Sequence, residues 1–194
     1  MIFLASQSKR RKELLRNAKI PFRLVPSTFE EQTLPGNSEL SALTNALGKA
    51  TYAKVNANEG IILGADTIVY FENQILGKPK SKRDAITMLF SLSGTKHAVY
   101  TGVALFDLSS KSWRSFCVKS MVTMRKFSKE TVQRYFSKVN PLDKAGAYAI
   151  QEHGDQLVTR IQGSYTNVVG LPMEVLKKEL KRMKKTHMSL RGTK

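Results

Sequence analysis

The chain opens on a short apolar run, Ile2–Ala5, which breaks at Ser6 and reads as a buried strand. Over Arg10–Ala18 the residues Leu14, Leu15 and Ala18 fall on one face, the spacing of an amphipathic helix. Residues 39–57 predict a second helix, with Leu40, Leu43, Leu47, Ala50 and Ala53 three and four apart. Gly60 opens an apolar strand over 61–65 that ends at Asp66, and Val69–Leu76 turns at Glu72-Asn73-Gln74 as a hairpin. Ser81 with Asp84 three residues on starts a helix that carries Ala85, Met88, Leu89 and Leu92 and stops at Gly94. His97–Leu108 and Trp113–Met124, rich in Val, Tyr, Phe and Thr, predict a long antiparallel pair. Ser128 caps a helix to about Val139, which Asn140-Pro141 ends. A strand follows over Leu157–Ile161, and Pro172 stands in the first turn of a last helix. Helices and strands interleave, but the long hairpin breaks strict βαβ alternation. The pattern is an α/β fold with a mixed sheet.

At 194 residues, without repeats, low-complexity tracts or Gly/Ser linkers, the chain fits one domain, or one domain of two small lobes. No apolar run approaches the roughly 20 residues that span a bilayer. The apolar start is too short for a signal peptide and meets its charges in the wrong order, so a cytoplasmic protein is expected. A single cysteine, Cys117, excludes an internal disulfide and a multi-Cys zinc site, and three scattered His exclude a His-rich one. The net charge is +17, and it is uneven: residues 9–23 hold seven basic side chains and one acid, residues 177–194 eight and one. Such a field favours polyanions without choosing among nucleotides, nucleic acid and acidic surfaces.

Four segments carry candidate chemistry. Residues 5–15 run from strand through a polar loop into a helix whose free N–H groups attract anions, and Ser6, Ser8, Arg10 and Arg11 add hydroxyls and guanidinium forks. The plainer alternative is a capped helix with a solvated basic face. Gly64-Ala65-Asp66-Thr67 puts a carboxylate at an apolar strand's end, where α/β folds hold ligands, and the small residues let a ligand approach the backbone. Such a group binds a divalent cation or takes a proton from water; alternatively it bonds a neighbouring turn. Gly77-Lys78-Pro79 displays an ammonium from a rigid bend, or is an ordinary surface turn. Residues 143–151 are mostly small, and a strand-like Tyr148-Ala149-Ile150 delivers Gln151, whose amide suits the edge of a base. The alternative there is a tight connection packed on the core.

Together and in order, these segments resemble the Maf family of nucleoside triphosphate pyrophosphatases. The matching blocks are LASQSxRRxELL at 4–15, FEE at 29–31, Lys49-Ala50, GADT at 64–67, LGKP at 76–79, LSGTxHxVYTGV at 92–103, DKAGAYxIQ at 143–151 and VVGLP at 168–172. The resemblance covers residues 4 to about 176, which makes 1–176 the domain and 177–194 a basic tail, expected to be a frayed, solvated helix end. It implies a two-lobed mixed sheet flanked by helices around a deep central cleft, distantly like inosine triphosphatase, and a protein that often dimerises. It implies cleavage of a nucleoside triphosphate between the α and β phosphates, with a divalent cation, Mg²⁺ or Mn²⁺. Ser6, Arg10 and Arg11 would then bind phosphates, while Glu31, Lys49, Asp66, Lys78 and Gln151 line the cleft and Asp66 serves as general base. Attack of water suits Asp66 with Glu31 as the acidic and metal-holding pair, and Arg10, Arg11, Lys49 and Lys78 offset the growing charge. Glu30 is the other candidate for the inward carboxylate beside Glu31.

Arg11, Thr67 and Gln151 resemble the branch of the family that prefers dTTP and UTP, as against the branch acting on 7-methyl-GTP. Lys9 departs from the family, which usually has Pro there. Two rival readings remain: a nucleotide-sensing regulator of cell division, and a nucleic-acid binder drawn by charge. With few aromatics among the basic runs, contact with nucleic acid is expected to be non-specific if it occurs.

Overall fold

The computed structural model describes residues 1–191, with side chains to Lys184. Strands β1 (Ile2–Ala5), β2 (Phe22–Leu24), β3 (Ile61–Phe71), β4 (Gln74–Leu76), β5 (Lys96–Asp107), β6 (Ser112–Met124) and β7 (Val158–Gln162) form one sheet in the order β2-β1-β3-β5-β6-β7, with β4 beside β3. β1 runs parallel to β2 and β3; the remaining pairs are antiparallel. The sheet is mixed, as the long hairpin required. The helices are α1 (Lys9–Asn17), α2 (Ser38–Thr51), α3 (Lys82–Ser91), α4 (Lys129–Phe136), α5 (Tyr165–Val169) and α6 (Met173–Arg191).

The two-residue period of the strands sorts side chains into layers. Ile2, Leu4, Leu63, Ala65, Val103 and Leu105 face a core closed by Leu15 of α1 and Leu176 and Met183 of α6. Phe3, Ile62 and Ala104 face the opposite way, onto Ala46 and Ala50 of α2. Gly64 and Gly102 let α2 lie against the sheet: a Cβ at either would run into the backbone carbonyl of Ala46 or Ala42. Helix backbone, not a ligand, fills the space beside Gly64. The far ends of the long strands supply a separate core, in which Val69, Val99 and Val122 meet Leu89 of α3, Tyr135 of α4 and Tyr148. The clusters on the two faces of one part of the sheet make one lobe, and this second core at the far ends of the same strands makes the other.

Several boundaries differ from the sequence reading. β3 does not end at Asp66 but runs on to Phe71, because Ile68-Val69-Tyr70-Phe71 continues the apolar strand into the second core. The hairpin turn is Glu72-Asn73, both residues left-handed, and Gln74 already pairs with Phe71. α2 stops at Thr51, and its buried face is Ala42, Ala46 and Ala50 rather than the leucine stripe; Leu40 is 48% exposed. α6 crosses position 176 without a break, and Leu180 and Met183 pack into the first core. Of the basic tail, residues 192–194 lie outside the described residues.

Candidate active site

A gap in the sheet makes the site. β1 pairs with β3 as far as Ala5 opposite Gly64, and β4 takes up the same edge of β3 only from Val69. Between them Ala65–Ile68 has no strand on that side, and a cleft of about 890 Å³ opens there. It lies beyond the carboxyl end of β1, at the start of α1, the position where open α/β sheets hold ligands. The described residues bordering it include Ser6, Ser8, Arg10, Arg11, Glu31, Lys49, Asp66, Thr67, Lys78 and Gln151, so all ten positions singled out above meet in one cavity.

Alternation along β3 divides the chemistry between the faces. Asp66 shares the parity of Ile62 and Gly64 and points towards α2. Its Oδ1 accepts from Lys49 Nζ at 2.7 Å and its Oδ2 from Asn45 Nδ2 at 2.9 Å. Lys49 Nζ also meets Glu31 Oε1 at 2.7 Å, so two carboxylates converge on one ammonium. Glu31 is the inward acid; Glu30 is exposed and does not border the cleft. Burial pushes the Glu31 carboxyl up, but Lys49, then Lys78 and Arg11, outweigh it and hold the group below the usual carboxylate range.

Thr67, one residue on, points to the other face and meets α1. Arg11 is buried there, donating through Nε to Gly170 O (2.8 Å) and through its terminal nitrogens to Ser6 Oγ (3.0 Å) and Thr67 Oγ1 (2.9 Å). The guanidinium is thereby pre-oriented at the cleft wall. Ser8 caps α1 by accepting from Arg11 N, and Lys9 is the first helical residue, the position Pro favours. Burial pushes the Asp143 carboxyl up, but Lys144 and, after it, Arg10 across the rim outweigh burial and hold it below the usual carboxylate range. Gln151 lies in a turn rather than at the end of a strand, and its buried Oε1 has no hydrogen-bond partner among the described residues.

The sequence reading missed Asn45. Its amide bonds Gln32 at both backbone groups, accepting from N (2.8 Å) and donating to O (2.9 Å), while it also holds Asp66. The signal was a polar stripe, Ser38, Ser41, Asn45 and Lys49, at helical spacing within the buried face of α2. No group of three or more His, Cys, Asp or Glu capable of holding a metal exists among the described residues. No described helix is long and apolar enough to cross a membrane.

The fold is similar to a solved structure of the Ham1 protein of Staphylococcus aureus, with a TM-score of 0.52 at 10% identity over 94% of this chain and 98% of that one. Curated relatives are closer in sequence. A dTTP/UTP pyrophosphatase of Clostridium tetani is 41% identical over 93% of this chain and 96% of its own. One from Bacillus cereus (strain G9842) is 46% identical over 93% and 94%. The model of the family described as Maf-like protein matches residues 1–183, a span that takes in the sheet, the helices on both its faces and every residue named at the cleft. By that match the chain belongs to the Maf-like protein family.

Proposed function

We propose that the chain hydrolyses dTTP and UTP between the α and β phosphates, releasing nucleoside monophosphate and pyrophosphate in the cytoplasm. The observation that carries this reading is the pairing of Asp66 and Glu31 around Lys49 inside a cleft rimmed by Arg10, Arg11 and Lys78. A triphosphate brings about four negative charges at neutral pH, and these cations offset them and the charge that grows on the phosphate oxygens as the bond breaks. Asp66 takes the proton of the attacking water. The new bond joins the water oxygen to the α-phosphorus, and the bridging oxygen departs with pyrophosphate. The relatives named dTTP/UTP pyrophosphatase support the reaction and the substrates.

The residues also suit Mg²⁺ or Mn²⁺. Glu31 and Asp66 are two carboxylates of the cleft that converge on the Lys49 ammonium, so a divalent cation would take their remaining lone pairs beside it. Hard cations in nucleotide sites are held by one or two carboxylates together with substrate phosphates. Glu31 and Asp66 would hold the ion, which when bound polarises phosphoryl oxygens.

The base is read by Gln151. Its unpartnered Oε1 can accept N3–H of uracil or thymine, while cytosine, whose N3 is an acceptor, would require the amide to turn over. Leaving a buried polar atom unpaired is what makes such a site selective. A panel of dTTP, UTP, CTP, ATP, GTP and 7-methyl-GTP, with Mg²⁺ or Mn²⁺ and product analysis, tests the proposal. The expected result is monophosphate plus pyrophosphate from dTTP and UTP at the highest kcat/KM. Activity confined to 7-methyl-GTP, or release of orthophosphate instead of pyrophosphate, contradicts it.

A further inference from the structure

We infer that Lys144 is a positioning residue for nucleobase selection, fixing from within the fold the loop that presents Gln151. The inference rests on the reading of Gln151 as the base contact. Lys144 is 3% exposed, unusual for a lysine, and its ammonium is surrounded by acceptors. Nζ donates to Asn140 O at 2.9 Å and Asp143 Oδ1 at 2.7 Å, and pairs with Glu152 Oε2 at 3.2 Å. Three N–H donors therefore meet three partners. Asn140 and Glu152 are the two ends of the loop, so one nitrogen closes it. Glu152 is the residue next to Gln151.

The middle of the loop is held by other means. Gly146 N–H donates to Gly77 O (3.2 Å), His97 Nε2 meets Tyr148 Oη (2.7 Å), and Tyr135 Oη accepts from Ala149 N (2.9 Å). Ala147 is kept left-handed at φ 61°, a conformation unfavourable for a non-glycine residue that persists only where its surroundings dictate it. These anchors fasten residues 146–149 to the second core. Beyond them the chain turns towards Gln151, closed by a long backbone bond from Glu152 N–H to Ala149 O (3.4 Å), and the side-chain tie on this turn is the ion pair from Glu152 back to Lys144. Glu152 is 39% exposed, but the ammonium it meets is buried and has directional demands that an apolar side chain of the same length lacks. Loss of the ammonium frees the turn at Gln151 and removes no contact of Arg11, Lys49 or Lys78, while Asp143, which faces Arg10, loses a partner as well. The effect then falls chiefly on the base end of the nucleotide, and the tripolyphosphate arm of the test reads any share that reaches the phosphates.

The test uses the full chain with Mg²⁺, comparing Lys144→Met, Lys144→Arg, Glu152→Gln and Gln151→Ala. It reads kcat and KM for UTP and CTP, and inhibition by inorganic tripolyphosphate, a probe without a base. Lys144→Met is expected to reduce the UTP-over-CTP ratio of kcat/KM by about tenfold, chiefly through the KM for UTP, with tripolyphosphate inhibition unchanged within about twofold. Glu152→Gln, which keeps the packing, reduces the ratio by about threefold and decides the matter if Lys144→Met does not fold. Lys144→Arg restores most of the ratio. An unchanged ratio in the folded variants, or a loss shared equally by UTP, CTP and tripolyphosphate, overturns the role of Lys144. If Gln151→Ala itself keeps the parent ratio, the reading of Gln151 fails and this inference with it; if only Gln151→Ala collapses the ratio, Lys144 fails alone.

Discussion

Lys49 Nζ lies 2.7 Å from Asp66 Oδ1 and 2.7 Å from Glu31 Oε1, joining a residue in the middle of a strand to one in a loop. The side chains of Lys49 and Asp66 are only 11% and 10% exposed, whereas that of Glu31 is 50% exposed. The ammonium therefore neutralises a buried acid and tethers a half-open one. Lys49→Met removes the shared cation and leaves two carboxylates facing each other. It is expected to lower kcat at least about 100-fold. It should also destabilise the fold by about 2 kcal/mol, less than for a fully buried pair because the cleft admits water. Pyrophosphate release and urea unfolding measure the two effects.

Asn45 supplies the complementary tie, since the same amide holds Asp66 and both backbone groups of Gln32, next to Glu31. Asn45→Ala loses these bonds at a cost of about 1–2 kcal/mol. It should raise KM more than it lowers kcat, because Asp66 keeps Lys49 while the segment bearing Glu31 loosens. Faster proteolysis within residues 27–34 would accompany the kinetic change.

How much of this was legible in the sequence depends on what kind of constraint was at work. Caps chosen by hydrogen-bonding chemistry, Ser81 for α3 and Ser128 for α4, were readable because the signal is local. The long hairpin was readable because alternation persists over both strands. The gap in the sheet was not, since it arises from where two other strands stop: Asp66 lies beyond the end of β1 rather than at the end of its own strand. The face of α2 was misjudged for a similar reason. Gly64 and Gly102 demand small residues against them, which displaces the leucines from the buried side, and only the tertiary contact reveals that demand. β2 and α5, three and five residues long, are too short to carry a period.

Gly102→Ala tests that close contact. The added methyl meets the Ala42 carbonyl and the Leu43 nitrogen, backbone atoms of α2 that move only with the whole helix. A loss of about 2–3 kcal/mol is expected, the cost of overpacking a rigid site. Activity falls with it, because α2 carries Asn45 and Lys49. A variant of parent stability and parent activity would show that the helix has room to shift.

His97 gives the fold a pH dependence. It is 1% exposed, and burial pushes its pKa down from 6.5 to about 4. The unfolded chain thus binds a proton that the native one refuses between about pH 6.5 and 4. The contribution of neutral His97 is complete above pH 6.5 and is lost as the pH falls towards 4. Linkage puts the loss between pH 7 and pH 5 at about 2 kcal/mol. His97→Gln should flatten the stability profile over this range in urea titrations, at the expense of the hydrogen bond to Tyr148.

The most direct measurement is the rate of pyrophosphate release from UTP by Asp66→Asn, with its folding checked by thermal unfolding. The exchange keeps the shape of the side chain and removes the group that accepts the proton of water. With the fold retained, kcat is expected to drop at least about 100-fold. A folded Asp66→Asn protein that turns UTP over at the parent rate would contradict the account.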